Sequence, residues 1–157
     1  MQKITPFLWF DGKAEEAMNF YIAIFKNSNI LSVTRYGEAG PGPKGTVMTA
    51  KFALNGQEFV ALNDGPQFTF TEAISFVVNC ETQQEVDELW EKLSEGGQKS
   101  RCGWLKDKYG LSWQVVPTAL VEMLQDKDAK KSNRVMQAML QMNKIEIETL
   151  RRAYHAS

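Results

Sequence analysis

Residues 73–97 read AISFVVNCETQQEVDELWEKLSEGG, and this stretch sets the grammar of the whole chain. Ala73–Asn79 is a short run of apolar and β-branched residues, the pattern of a strand. Thr82-Gln83-Gln84-Glu85 is a capping box, because a Thr hydroxyl and a Glu side chain three residues on can each satisfy an amide that a new helix leaves unpaired. The helix it opens carries Val86, Leu89, Trp90 and Leu93 on one face, and Gly96-Gly97 ends it. Strand-like segments follow at Gln98–Leu105 and Leu111–Val116, with a turn at Asp107–Gly110.

The same order runs upstream. Ile4–Phe10 reads as a strand that stops at Asp11-Gly12. Lys13–Lys26 places Ala14, Ala17, Met18, Tyr21, Ile22 and Phe25 at helical spacing. Asp11 or Gly12 is positioned to cap that helix, and Glu15 and Glu16 suit the positive end of its dipole. After Asn27-Ser28-Asn29, Ile30–Tyr36 is a strand and the Gly/Pro-rich Gly37–Gly45 reads as a mobile loop. Thr46–Leu54 alternates, and Asn55-Gly56 is a strong hairpin signal that returns the chain through Glu58–Asn63. Each half is therefore strand, helix and about three strands, a repeat of architecture rather than of motif. The expected fold class is α+β, two βαβββ units forming a curved mixed sheet, with one domain over 1–117 divided into halves of about 1–66 and 67–117.

Beyond Pro117 the pattern becomes helical. Helices are expected over Ala119–Leu124 and Asp128–Met142, the second with Val135, Met136, Met139, Leu140 and Met142 on one face. Asn143–Glu146 can cap a last helix whose apolar edge is Ile147, Leu150 and Tyr154. Residues 118–157 read as a helical C-terminal extension packed on the domain or on a partner subunit. Acidic residues interrupt its basic face, which argues against a membrane-surface role.

Composition narrows the function classes. The chain has 157 residues, 18 Lys+Arg against 19 Asp+Glu, two Cys and one His. A net charge of −1 lacks the basic excess of a nucleic-acid binder, so no nucleic-acid partner is expected. The apolar runs are too short to cross a bilayer and no secretory leader is read, so the expectation is a cytoplasmic protein without a membrane partner. Cys80 and Cys102 form neither a disulfide framework nor a zinc spacing. The single His155, near the chain end, rules out a multi-histidine site within one chain.

Several stretches carry a family resemblance. Ile4-Thr5-Pro6-Phe7-Leu8-Trp9-Phe10-Asp11-Gly12-Lys13-Ala14-Glu15-Glu16-Ala17, Phe20-Tyr21 with Phe25, Leu62-Asn63-Asp64-Gly65 and Cys102-Gly103-Trp104 all contribute. The most specific element is Asp107-Lys108-Tyr109-Gly110-Leu111-Ser112-Trp113-Gln114-Val115-Val116-Pro117, and the tail from Arg134 to Ala153 also matches. On these residues the chain resembles the PhnB-like branch of the vicinal oxygen chelate superfamily, which includes glyoxalase I, bleomycin-resistance proteins and extradiol dioxygenases. Members of the branch often carry a demethylubiquinone-methyltransferase-like label. No Gly-rich strand-to-helix loop is read here that could cradle S-adenosylmethionine.

The resemblance implies a homodimer, in which sheet edges and the helical tail are covered. It also implies, for the catalytic members, a divalent metal held by His, Glu or Gln side chains. The corresponding positions fall near Ile4 or Thr5, near Leu62 or Asn63, in Ala73–Ser75, and at Gln114. Of these only Gln114 and Asn63 offer an amide oxygen, and neutral amides alone bind zinc, nickel or iron poorly. Glu58 and Glu72 would serve only in a shifted register. Neither a metal nor another cofactor is expected.

What remains is a small-molecule ligand in a concave, aromatic-lined cavity, with Trp9, Cys102, Trp104, Trp113 and Gln114 as the candidate lining. Strand alternation limits the set, since Trp9 and Phe10 face opposite ways, as do Trp113 and Gln114. If Gln114 faces the cavity, Trp113 faces the helices. Arg101 beside Cys102 favours a thiolate, but no histidine is near enough in sequence to act as its base. A metal-dependent lyase, isomerase or dioxygenase is the alternative, and a methyltransferase a third.

Overall fold

A computed structural model describes residues 2–157. The chain forms two compact units, one running to Phe70 and the other covering Thr71–Ser157. Each holds a four-stranded mixed sheet and a helix in βαβββ order, so the α+β architecture is as the sequence implies.

The first unit contains β1 (Phe7–Phe10), α1 (Ala14–Ile24), β2 (Asn29–Arg35), β3 (Val47–Leu54) and β4 (Gln57–Asn63), in sheet order β1-β4-β3-β2. Only β1 and β4 run parallel, because the α1 crossover separates β1 from the hairpin strands. Asn55 and Gly56 have φ of 49° and 86°, the paired positive values that a tight two-residue hairpin turn requires. Leu8, Phe10, Phe52 and Phe59 bury one sheet face against Ala14, Ala17, Met18 and Tyr21 of α1. The Tyr21 ring stacks on Phe52 at 6.2 Å.

One expectation needs correction in this unit. Neither Asp11 nor Gly12 caps α1; the N-cap is Lys13, without a side-chain bond of its own. The first amide, Ala14 N, donates instead to Asn63 Oδ1 at 2.9 Å. A residue distant in sequence replaces the local cap, and no local pattern could reveal it. The Gly37–Gly45 segment is a loop, as expected, and Gly40 and Gly42 lie against the Tyr36 ring. A Cβ on Gly40 or Gly42 would meet that ring at 2.5 or 2.4 Å, so close approach explains these two glycines.

The second unit contains β5 (Ser75–Cys80), α2 (Gln83–Ser94), β6 (Gln98–Lys99), β7 (Trp104–Lys106) and β8 (Ser112–Pro117), in order β5-β8-β7-β6. Thr82 Oγ1 accepts from Glu85 N at 3.1 Å, the expected cap of α2. Val86, Leu89, Trp90 and Leu93 are buried, as are Leu105, Trp113 and Val115 of the sheet. Burial, with the Glu85 carboxylate beside it, pushes the Cys80 thiol up to about 12, so this cysteine is an inert core residue.

The expected single strand Gln98–Leu105 is in fact a hairpin. Trp104 N donates to Arg101 O at 3.0 Å, closing a turn whose central residues Cys102 and Gly103 have φ of 58° and 83°. Cys102 is therefore a left-handed turn residue and not part of a strand. The next turn is built on Asp107. Its Oδ1 accepts from Tyr109 N at 2.9 Å and Leu111 N at 3.1 Å, and its Oδ2 accepts from Trp113 Nε1 at 2.9 Å. A carboxylate that is 2 % exposed is tolerable because these donors satisfy it.

Three helices follow: α3 (Thr118–Leu124), α4 (Ala129–Met139) and α5 (Ile147–His155). They share a buried centre of Leu120, Met123, Val135, Ile145 and Leu150. Of the expected α4 face, Met139 and Met142 pack against this centre, whereas Met136 and Leu140 are exposed. The Asn143–Glu146 segment supplies no side-chain cap to α5. Gln83 does so from α2, accepting from Ile147 N at 2.7 Å and donating to Ile145 O at 3.0 Å. Cys102 N and Gly103 N donate to Met142 O and Asn143 O at 2.8 and 2.7 Å, tying the β6–β7 turn to the tail.

Candidate functional site

Alternation along β8 sends Trp113 and Val115 into the core and Ser112 and Gln114 to the other face. The register aligns these with neighbouring strands: Trp104, Gln114 and Val77 form one row, and Lys106, Ser112 and Ser75 the next. Each row leaves the same face of the sheet. Gln114 Nε2 donates to Ser75 Oγ at 2.9 Å, crossing between the rows.

Against this face and the adjoining turn lies a cavity of 560 Å³ lined by residues that include Arg101, Cys102, Trp104, Lys106, Ser112 and Glu72. Trp104 is half-buried and gives the cavity an aromatic wall. Lys106 Nζ meets Glu72 Oε1 at 2.6 Å, and this cation holds the Glu72 carboxyl below its ordinary value. Ser112 is fully buried, and its Oγ has no hydrogen-bond partner.

The structure thus brings Cys102 and Trp104 together and puts Gln114 on the same face. Trp113 is a correction to the expected lining: it is 3 % exposed, its indole N–H is taken by Asp107, and its ring lies 5.6 Å from Phe76. Gln114 and Trp113 are neighbours on one strand, so only one of them can reach this face. Trp9 belongs to the first unit, where its Nε1 donates to Gly65 O at 2.9 Å and its ring stands edge-on to Phe68 at 4.9 Å. Arg101, Lys106 and Ser112 were missed. Alternation from Trp104 and Gln114 signals the last two, since each is two residues away on its own strand.

The positions where a metal centre would be sought do not fit one. Ile4 is exposed ahead of β1. The Asn63 amide is engaged at both ends, accepting from Ala14 N and donating to Val47 O at 3.2 Å. Glu58 and Glu72 each face a lysine, Lys51 at 3.2 Å and Lys106 at 2.6 Å. Among the described residues no three His, Cys, Asp or Glu side chains are grouped closely enough to hold a metal ion. The amides that remain are weak ligands, so no step is derived through a metal.

The model of the family described as 3-demethylubiquinone-9 3-methyltransferase matches residues 2–116. A PhnB protein from Bacillus cereus, described as a candidate 3-demethylubiquinone-9 3-methyltransferase, is 49% identical, with a TM-score of 0.68 over 74% of this chain and 99% of that one. Protein PA1353 from Pseudomonas aeruginosa is 21% identical with a TM-score of 0.63, over 74% of this chain and 98% of that one. The fosfomycin resistance protein FosX from Listeria monocytogenes is 13% identical with a TM-score of 0.52, over 74% and 93%. These last two share the fold. No curated protein matches the chain.

Proposed function

We propose, from the premise that this chain belongs to the PhnB-like family of the vicinal oxygen chelate superfamily, that it binds a small aromatic or amphiphilic molecule on the open face of its second sheet without a family-type metal. The cavity of 560 Å³ carries this reading, because it combines an aromatic wall at Trp104 with a few convergent polar groups. Cys102 adds a soft contact, and Gln114 an amide on the same sheet face. Trp9 is the corresponding candidate in the first unit.

The rivals have less support. The donor set argues against a metal-dependent lyase, isomerase or dioxygenase. The family name favours methyl transfer, but the strand-to-helix junctions at Asp11-Gly12-Lys13 and Glu81-Thr82 hold a single glycine between them. Neither offers the Gly-rich turn of a Rossmann-type cradle.

A melting-temperature screen of chelator-treated protein against aromatic amphiphiles tests the reading. Binding raises the melting temperature, and the shift should vanish in Trp104→Ala. Shifts that persist in that variant, or a stoichiometric metal lost on Gln114→Ala, would overturn it.

Homodimerisation is part of the same proposal. The edge strands leave Phe7 of β1 and Val77 of β5 exposed, and uncovered apolar edges invite pairing. Light scattering on the purified chain distinguishes dimer from monomer. We also read residues 118–157 as an extension of the two-half domain and the protein as cytoplasmic. No described helix is long and apolar enough to cross a membrane.

A further inference from the structure

We infer that the ligand of this cavity is a monoanion, an aryl or conjugated carboxylate, with its ring on Trp104 and its carboxylate held among the lining groups Arg101, Lys106 and Ser112. This rests on the binding reading above and adds the charge class of the ligand.

Three independent features converge. The first is charge. The lining holds two cations, Arg101 and Lys106, and one acid, Glu72, a surplus of one positive charge in a chain whose net charge is −1. Glu72 pairs with Lys106, while Arg101 enters none of the ion pairs among the described residues. A guanidinium presents a planar fork that matches a carboxylate. One surplus charge suits a monoanion better than a phosphate monoester, which carries nearly two negative charges near neutral pH.

The second feature is Ser112. A fully buried hydroxyl without a partner is rare in a folded protein and calls for an explanation. Its ladder partner is Lys106, so both side chains leave the same face, and Lys106 keeps a flexible, partly exposed stem that can swing aside. A carboxylate oxygen seated there gives the hydroxyl the acceptor it lacks.

The third is rigidity. Arg101 opens the β6–β7 turn, which is closed by Trp104 N on Arg101 O and pinned by Cys102 N and Gly103 N to the Met142 and Asn143 carbonyls. The turn therefore fixes the backbone that carries Arg101 relative to Trp104. Trp104 and Lys106 are two residues apart on one strand, about 7 Å. That separation is spanned by an aromatic ring joined directly or through a short linker to a carboxylate.

The test uses the full chain and a panel of aryl carboxylates from cinnamate to 2-naphthoate, each paired with its carboxamide, in isothermal calorimetry at low salt. The carboxylate of a pair should bind about tenfold tighter than the amide, the scale of one charge-assisted contact. Arg101→Gln, at an exposed position, should cut that preference to about threefold or less while leaving amide binding in place. Trp104→Ala should weaken both members of a pair equally. If amides bind as tightly as carboxylates and Trp104→Ala abolishes both, the charge assignment is wrong and the binding reading stands. If neither member of any pair binds the wild-type chain, both fall.

Discussion

Replacing Ser112 with alanine should make the free protein more stable. Ser112 sits in the centre of its sheet, aligned with Lys106 on one side and Ser75 on the other, and is 0% exposed. Its Oγ has no partner, so folding strips the hydroxyl of water and returns nothing. Such an unpaired group costs roughly 1–3 kcal/mol. Deleting the oxygen leaves a void of roughly 15 Å³, worth about 0.4 kcal/mol at about 24 cal/mol per Å³. Serine and alanine are both modest strand residues, so propensity changes little. The balance is a stabilisation of about 1–2 kcal/mol, which in a domain of this size raises the melting temperature by roughly 2–8 °C. Urea denaturation with an unchanged slope is the assay, since a changed slope would mean an altered denatured state. A loss of about 1 kcal/mol or more would refute the reasoning, because it would mean the hydroxyl has a partner in the folded protein. The same variant should bind the aryl carboxylate more weakly. Gained stability with undiminished carboxylate binding would separate the buried hydroxyl from the ligand.

Gln83→Ala removes both bonds that hold the start of α5 and should destabilise the chain by about 2 kcal/mol. Amide exchange at Ile147 should accelerate before exchange in the sheet does, and unchanged protection there would contradict the remote cap. Gly103→Ala should cost more than Gly110→Ala. Both positions have positive φ, 83° and 88°, but a Cβ at 103 would meet Val115 O at 2.8 Å whereas 110 has nothing within 4 Å. Equal losses in thermal melts would remove the steric argument. The Asp87 carboxyl is held below its ordinary 3.8 by the Gln83 amide first and Lys144 next. Its folded value is depressed, so its contribution is complete above the ordinary value and disappears as pH falls through the folded value. The stability gap between wild type and Asp87→Asn should therefore shrink below pH ~4. A gap that stays constant from pH 5 to 2 would exclude this linkage.

The order of elements was readable because each signal is local. Thr82 caps α2 through a bond to an amide three residues away, and Asn55-Gly56 sets the register of β3 and β4 through its own backbone angles. What the sequence concealed depends on partners distant along the chain. Asn63 caps α1 across 49 residues and Gln83 caps α5 across 64, so local patterns pointed to Asp11 and Asn143 instead. The β6–β7 turn was missed because Cys102 is not a residue type that announces positive φ. Its conformation is fixed by two amides bonded to carbonyls of the tail. Of the expected lining, Trp104 and Gln114 share a sheet face in register, and Cys102 borders the cavity from a turn rather than from a strand. Trp113 was not separated from them, because an aromatic in a strand advertises its size and not its face.

The segment Asp107–Pro117 carries two sets of instructions at once, and period-two alternation keeps them apart. Asp107, Leu111, Trp113 and Val115 serve the fold: the carboxylate organises the turn and anchors the indole, and the apolar side chains are buried. Ser112 and Gln114, interleaved between them, stand on the other face beside Lys106 and Trp104. A change at a fold position should therefore lower stability and leave ligand preference alone. A change at an interleaved position should alter ligand preference at little cost in stability, or with a gain at Ser112. The same division accounts for the metal positions. Asn63 spends its amide on a helix end and a strand carbonyl, so a side chain that could have donated to a ligand is committed to holding α1. Ser112 Oγ, on the cavity face, has no such commitment, and ligand binding should be sought beside it.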